Sequence, residues 1–192
     1  MKRKIKKICF VGAPSTGKTV LAKSLTGQLR KEGYTAELAR EYARDFIVHY
    51  GPMKEAADQF LIFQGQKQRE KETEERNPDF VVCDCATFLS YVYTFLYEPP
   101  KSDKKSWKKY KMVSKILLNE VKPRISDYDY VFFLPVEFKP EEDGTRLYKD
   151  KALEISKQIE EFLQNQKVNY CQVRGNPKER LNKVLEVINI KI

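Results

Sequence analysis

Apolar positions along the chain gather into short runs, separated by stretches in which they recur every three or four residues. The first run, Ile8–Val11, is of strand type and closes on Gly12. From Gly17 to Lys31, Val20, Leu21, Leu25 and Leu29 fall at helical spacing, and Gly33 supplies a stop. Thr35–Ala39 predicts a second strand. Glu41–Tyr50 predicts a helix carrying Phe46 and Ile47, broken by Gly51-Pro52. Met53–Arg76 predicts one long helix of two characters. Its first half holds Ala56, Ala57, Phe60, Leu61 and Phe63; its second half, Lys67–Arg76, is almost wholly charged, with Glu72 and Arg76 spaced for an i,i+4 pair.

Asn77-Pro78 ends that helix, and Phe80–Cys83 is a buried strand with Asp84 at its C-terminal end. Thr87–Tyr97 predicts a buried aromatic helix, 98–105 a loop around Pro99-Pro100, and Trp107–Val121 another helix. Tyr130–Leu134 is a fourth strand, Pro135–Gly144 a loop, and Lys149–Gln166 an amphipathic helix through Ile155, Ile159, Phe162 and Leu163. After a last strand at Tyr170–Val173, Asn176 caps a helix with Pro177 in its first position and Leu181, Val184, Leu185 and Ile188 inward. Five short strands alternating with helices predict an α/β fold of three layers, α/β/α, around a five-stranded, mainly parallel sheet. Ligands then belong at the C-terminal strand ends.

One segment decides the class. Gly12-Ala13-Pro14-Ser15-Thr16-Gly17-Lys18-Thr19 matches G-x-x-x-x-G-K-[ST] in full, between a strand and an amphipathic helix. The glycines let backbone amides wrap phosphate oxygens, and Lys18 brings a point charge to the β- and γ-phosphates. The Thr19 hydroxyl suits Mg²⁺, and the helix directs its positive end at the anion. ATP and Mg²⁺ are therefore the expected cofactors, on a P-loop NTPase fold.

Three further stretches supply chemistry. Asp84 stands where P-loop proteins hold Mg²⁺ through water or accept a substrate proton, and the same residue type also caps helices. Arg40-Glu41-Tyr42-Ala43-Arg44-Asp45 follows the second strand, at a sheet edge expected beside the P-loop. There Glu41 is a candidate to take a proton from an acceptor hydroxyl, and Arg40 and Arg44 to bind substrate; Glu41 equally suits a helix N-terminus. Glu141-Glu-Asp-Gly-Thr-Arg146 places an arginine in the loop after the fourth strand, as a lid would need.

With these stretches in view the chain resembles the NadR-type ribosylnicotinamide kinases and related P-loop nucleoside and nucleotide kinases. The likeness spans most of the chain, through Gly12–Thr19, Arg40–Arg44, Val82-Cys83-Asp84 and Asp143–Arg146. It implies ATP on the P-loop, a substrate pocket from Glu41 to Asp84, and a lid over 136–150 that carries Arg146. The run Asp84-Cys85-Ala86-Thr87, without a second acid, and the seven lysines of Lys101–Lys115 depart from that pattern.

Composition narrows the alternatives. At 192 residues, 41% hydrophobic and 33% charged, the chain suits one globular domain with a basic insert over 98–115. The net charge of +9 favours anionic partners. Lysines interleaved with Trp107 and Tyr110 offer a grip on nucleic acid, against the plainer reading of a solvated helix face. Lys2–Lys7 reads as a basic arm, followed by too few apolar residues for a secretory segment, and no stretch is long enough to span a membrane. Cys9, Cys83, Cys85 and Cys171 all fall in segments that read as buried strands, as reduced thiols of a cytoplasmic protein. His49 is the only histidine, which argues against His-based metal sites and Ser-His-Asp triads.

The expected activity is transfer of the ATP γ-phosphate to a hydroxyl of a small nucleoside-like acceptor, with Lys18, Arg146 and either Glu41 or Asp84 as catalytic groups. A kinase of nucleic-acid ends or modified bases is one alternative. A regulatory ATP- or GTP-binding module with slow hydrolysis is another, weakened by the lack of an N-K-x-D guanine-reading motif.

Overall fold

The computed structural model describes residues 4–137 and 151–190. Five parallel strands lie in the order β2-β3-β1-β4-β5. They are β1 (Lys6–Val11), β2 (Ala36–Ala39), β3 (Phe80–Cys83), β4 (Tyr130–Phe133) and β5 (Cys171–Gln172). The helices are α1 (Lys18–Lys31), α2 (Tyr42–Tyr50), α3 (Ala56–Glu75), α4 (Leu89–Tyr93), α5 (Lys104–Val121), α6 (Ala152–Asn165) and α7 (Pro177–Val187).

Alternating strand residues sort into two cores, because successive side chains leave opposite faces of a strand. Ile8, Phe10, Val82 and Phe132 pack with Leu21, Leu25, Val184 and Leu185 of α1 and α7. Cys9, Val11, Val81, Cys83 and Phe133 pack with Phe63, Leu89, Leu117 and Ile159 of α3, α4, α5 and α6. The expected three layers follow directly.

Several local expectations change. The aromatic helix over Thr87–Tyr97 is a one-turn α4 followed by a 3₁₀ turn at Thr94–Tyr97. Helix α5 begins at Lys104 because the Asp103 carboxylate accepts from Ser106 N. The last strand shrinks to two residues, and Cys171 there is only half-buried, as is Cys85 beyond the end of β3. Arg76 pairs with Glu37 at 3.2 Å, while Glu72 accepts from Gln68, so the predicted Glu72–Arg76 pair is replaced by a contact to β2.

The largest correction concerns charge. Lys7 is no part of a solvated arm: it is 8% exposed, with Nζ 2.9 Å from Glu70 and 2.6 Å from Glu74. Glu70 in turn accepts from the Tyr128 hydroxyl and from Gln66. The charged half of α3 therefore keeps a buried row, Gln66, Glu70 and Thr73, against the sheet. Burial pushes the Glu70 carboxyl upward, and the Lys7 ammonium opposes it.

Candidate active site

The strand order brings three strand ends side by side. The P-loop leaves β1, Asp84 leaves β3, and Glu41 follows β2. The second strand lies at the sheet edge, with β3 between it and β1. Asp84 is thereby set between the P-loop and Glu41.

The loop's shape requires its glycines. A Cβ on Gly12 would sit 2.5 Å from the Leu134 carbonyl oxygen, because β1 and β4 run together there. Gly17 has φ 90°, in the left-handed region, and Ser15 shares it at φ 71°. The Thr16 hydroxyl donates to the Ala13 carbonyl at 2.9 Å, and Lys18 Nζ donates to the carbonyls of Gly12 and Ala13, each at 2.8 Å. Ala13, Thr16 and Lys18 are buried, Pro14 and Thr19 half-buried, and Ser15 exposed. The Tyr93 hydroxyl lies 3.5 Å from Gly12 O, closing the loop from α4.

Around Thr19 the predicted polar residues meet. Arg44 Nη2 donates to the Thr19 hydroxyl at 3.1 Å, and its Nε to Glu41 Oε2 at 2.9 Å. The Asp84 carboxylate lies beside Thr19, and its Oδ1 is buried without a partner among the described residues. Asp84 is not a helix cap, since α4 starts only at Leu89; Glu41 is the N-cap residue of α2 yet makes no capping bond. Both carboxylates are thus left to the site. Burial raises the Asp84 carboxyl above the ordinary aspartate range, and the charge of Glu41 adds to this, while Thr19, Lys18 and Arg44 pull it down.

An orphaned, buried carboxylate oxygen beside a hydroxyl is an oxygen donor set of the kind Mg²⁺ takes. Among the described residues no group of three or more His, Cys, Asp and Glu side chains could hold a metal ion. Thr19 and Asp84 would supply oxygen donors to such an ion, leaving its other positions to groups outside the protein.

Arg40 is exposed and its charge acts on Asp45 of α2; its guanidinium is not among the groups gathered at Thr19. Arg146 lies outside the described residues, as does the expected lid except Val136 and Glu137. In the basic insert, the ammonium groups of Lys101 and Lys111 lie over the Trp107 ring, and Lys109 pairs with Glu55 at 2.5 Å.

Two supporting sets escaped the sequence. On α3, Gln66 accepts from Tyr42 N at 2.8 Å, and Arg69 donates to the carbonyls of Arg40 and Glu41 and to Asp45. The Tyr42 ring fits against Gly65, where an added Cβ would clash at 2.2 Å. On α7, the buried Arg180 reaches Thr16 and Glu137. Each had a signal: Gln66 and Arg180 continue the apolar rows of their helices at helical spacing, Arg180 four residues before Val184.

A family model described as an AAA domain matches residues 7–180. The chain belongs to that AAA domain family. The chain is 28% identical over 123 residues to a probable thymidylate kinase of Thermoplasma acidophilum, covering 63% of each protein. This AAA domain also superimposes on a NadR protein in complex with NR at TM-score 0.76 and 19% identity, covering 98% of this chain and 53% of that one. A NadR protein bound to NAD and AMP-PNP matches at TM-score 0.72 and 18% identity, over 98% of this chain and 51% of that chain. The deoxyadenosine kinase from M. mycoides with bound dATP matches at TM-score 0.63 and 14% identity, over 95% of this chain and 99% of its own. The chain spans about half the length of the two NadR chains and 63% of the thymidylate kinase. These likenesses establish the fold and agree with the NadR-type resemblance. No helix among the described residues is long and apolar enough to cross a membrane.

Proposed function

We propose that this protein is a P-loop kinase that transfers the γ-phosphate of ATP, with Mg²⁺, to a hydroxyl of a small nucleoside-like acceptor. The reading is carried by one observation: Arg44 bonds both Glu41 and Thr19 at the rim of the P-loop, with the Asp84 carboxylate beside Thr19. Beyond a carboxylate for Mg²⁺, which any P-loop NTPase needs, the rim offers a second, Glu41, that an acceptor hydroxyl can use. The kinase names of the relatives support the reaction class, and their ligands support nucleotide and nucleoside-like substrates. Four free thiols suit a cytoplasmic enzyme.

The roles divide by exposure. Asp84 is 3% exposed and lies beside Thr19, so these two would hold Mg²⁺, which when bound would neutralise phosphate charge. Glu41, with a side chain 23% exposed and hydrogen-bonded to Arg44, is the group an acceptor hydroxyl can reach. It accepts the proton as the hydroxyl oxygen attacks the γ-phosphorus and the bond to the β-bridging oxygen breaks. Arg44 orients that carboxylate and offers its remaining N–H groups to the acceptor. Lys18 and the loop amides hold the phosphates in line, so positioning and charge supply most of the rate. Arg146 is assigned to the transferring phosphate on the sequence pattern alone.

The test is acceptor-dependent turnover against a panel of nucleosides, ribosides and short oligonucleotides, with wild type, Glu41→Gln and Asp84→Asn. We expect labelled small-molecule product, about a hundredfold or greater loss of kcat in Glu41→Gln with ATP binding retained, and altered Mg²⁺ dependence in Asp84→Asn. ADP release without a labelled acceptor anywhere in the panel would refute the kinase reading.

A further inference from the structure

The P-loop motif explains why Gly17 is a glycine, but not what keeps its peptide facing the right way. A trans peptide is planar, so the Thr16 carbonyl and the Gly17 N–H point to opposite sides of the chain. Whichever way the carbonyl turns, the amide turns the other. At φ 90° Gly17 occupies a conformation open chiefly to glycine, and glycine takes negative φ about as readily. The Thr16–Gly17 peptide can therefore flip at little local cost. Flipped, it would turn a carbonyl dipole where the phosphate needs a donor.

Arg180 opposes that flip. Its Nη1 donates to the Thr16 carbonyl at 2.5 Å, from the side of α7. The guanidinium is itself held twice more, by Nε to Gly175 O at 2.8 Å and by Nη2 to Glu137 Oε2 at 2.7 Å. Glu137 is fixed by Gly175 N at 3.0 Å and lies 3.6 Å from Arg174. Arg180 is 7% exposed, so these bonds form in a region largely closed to water. A buried ion pair often contributes less net stability than an apolar replacement of the same size. What this one supplies is direction, through a planar fork with three N–H groups engaged on three segments: the P-loop, the exit of β4, and the turn before α7. The Thr16 hydroxyl cannot do this, since it bonds within the loop to Ala13 O.

We infer that Arg180 is a positioning residue that locks the Thr16–Gly17 peptide with the Gly17 N–H turned into the loop, toward a nucleotide polyphosphate, and that Glu137 holds Arg180 in register. The inference rests on the P-loop binding nucleotide; it does not depend on which acceptor is used.

The test uses the whole chain with ADP as the probe, comparing wild type, Arg180→Met, Arg180→Lys and Glu137→Gln. Calorimetry reads the affinity, and the Gly17 amide resonance reads the hydrogen bond. In wild type, ADP moves that resonance downfield. In Arg180→Met, we expect ADP affinity to fall about tenfold or more and the Gly17 shift to shrink with it. Arg180→Lys should recover part of both, because a lysine can reach one carbonyl but cannot span three. Glu137→Gln should lose a few-fold. Should Arg180→Met fail to fold, the Lys and Gln variants carry the same two readouts. If folded variants bind ADP within about twofold of wild type with an undiminished Gly17 shift, the lock is refuted and Arg180 is only a strut. If wild type itself binds no ADP, the nucleotide reading falls, and the lock with it.

Discussion

Replacing Gly12 by alanine tests whether close approach to its neighbours makes this position a glycine. Its φ of 159° lies at the edge of a region open chiefly to glycine, so backbone strain adds to any steric cost. The steric cost is one of contact: the new Cβ would lie 2.5 Å from Leu134 O and 2.9 Å from Thr16 Oγ1, about 0.9 Å inside an ordinary 3.4 Å contact with the carbonyl. That carbonyl is backbone, just past the end of β4, where Leu134 N donates to Val11 O of β1 at 2.8 Å. Relief must come from moving the start of the P-loop away from β4 by most of an ångström. The same movement displaces Gly12 O, one of the two carbonyls that orient Lys18. A misplacement of about 1 Å costs about a hundredfold in rate, or about 2.7 kcal/mol of barrier. Overpacking of this kind also lowers stability by about 1–3 kcal/mol, and each kcal/mol lowers Tm by about 2–4 °C at this size. Gly27→Ala is the matched control: nothing lies within 4 Å of its Cβ, it sits inside α1, and alanine there should be neutral or raise stability by up to about 1 kcal/mol. ADP affinity by calorimetry and Tm by thermal denaturation separate the two. A Gly12→Ala variant with ADP affinity within threefold of wild type and an unchanged Tm would refute the reasoning.

Two further predictions concern buried charge. Lys7→Met leaves Glu70 buried beside Tyr128 without its ammonium partner, and should cost about 3–5 kcal/mol at neutral pH. Glu70 is already pushed upward by burial, so its contribution is best while protonated and worsens as pH rises above the ordinary glutamate range. The loss in Lys7→Met should therefore shrink between pH 7 and pH 5 in urea denaturation, and the double variant Lys7→Met/Glu70→Gln should be more stable than Lys7→Met alone; a pH-independent loss would count against the ion pair. Asp84 behaves alike in sign: raised by burial, it is least costly to the fold below the ordinary aspartate range, and costs stability as pH rises and it ionises. In the protein without nucleotide or Mg²⁺, Asp84→Asn should remove this loss in urea denaturation, and a pH-dependent loss that survives in Asp84→Asn would assign it to another group.

What could be read in the sequence was whatever depends on local order. The P-loop, the helix cap at Asn176 and the strand Phe80–Cys83 each rest on residues adjacent or one turn apart, and the structure keeps them where periodicity and turn chemistry placed them. The gathering of Glu41, Arg44 and Asp84 on Thr19 was anticipated as a set of candidates, but not as a geometry. Its arrangement depends on β3 entering between β1 and β2, a choice made by packing strands from 6 to 83 together. Tertiary structure likewise turned Lys7 and Glu70 from surface charges into a buried pair, and made Arg180 a brace for the P-loop. Local composition carries the chemistry of a charged side chain, whereas its burial and its partner are properties of segments far apart in the chain: Thr16 and Arg180 are separated by 164 positions, Lys7 and Glu74 by 67. The sequence by itself determined the class of ligand, because phosphate binding is built from consecutive amides; the neighbours that aim those amides were decided only when the sheet brought its strand ends together.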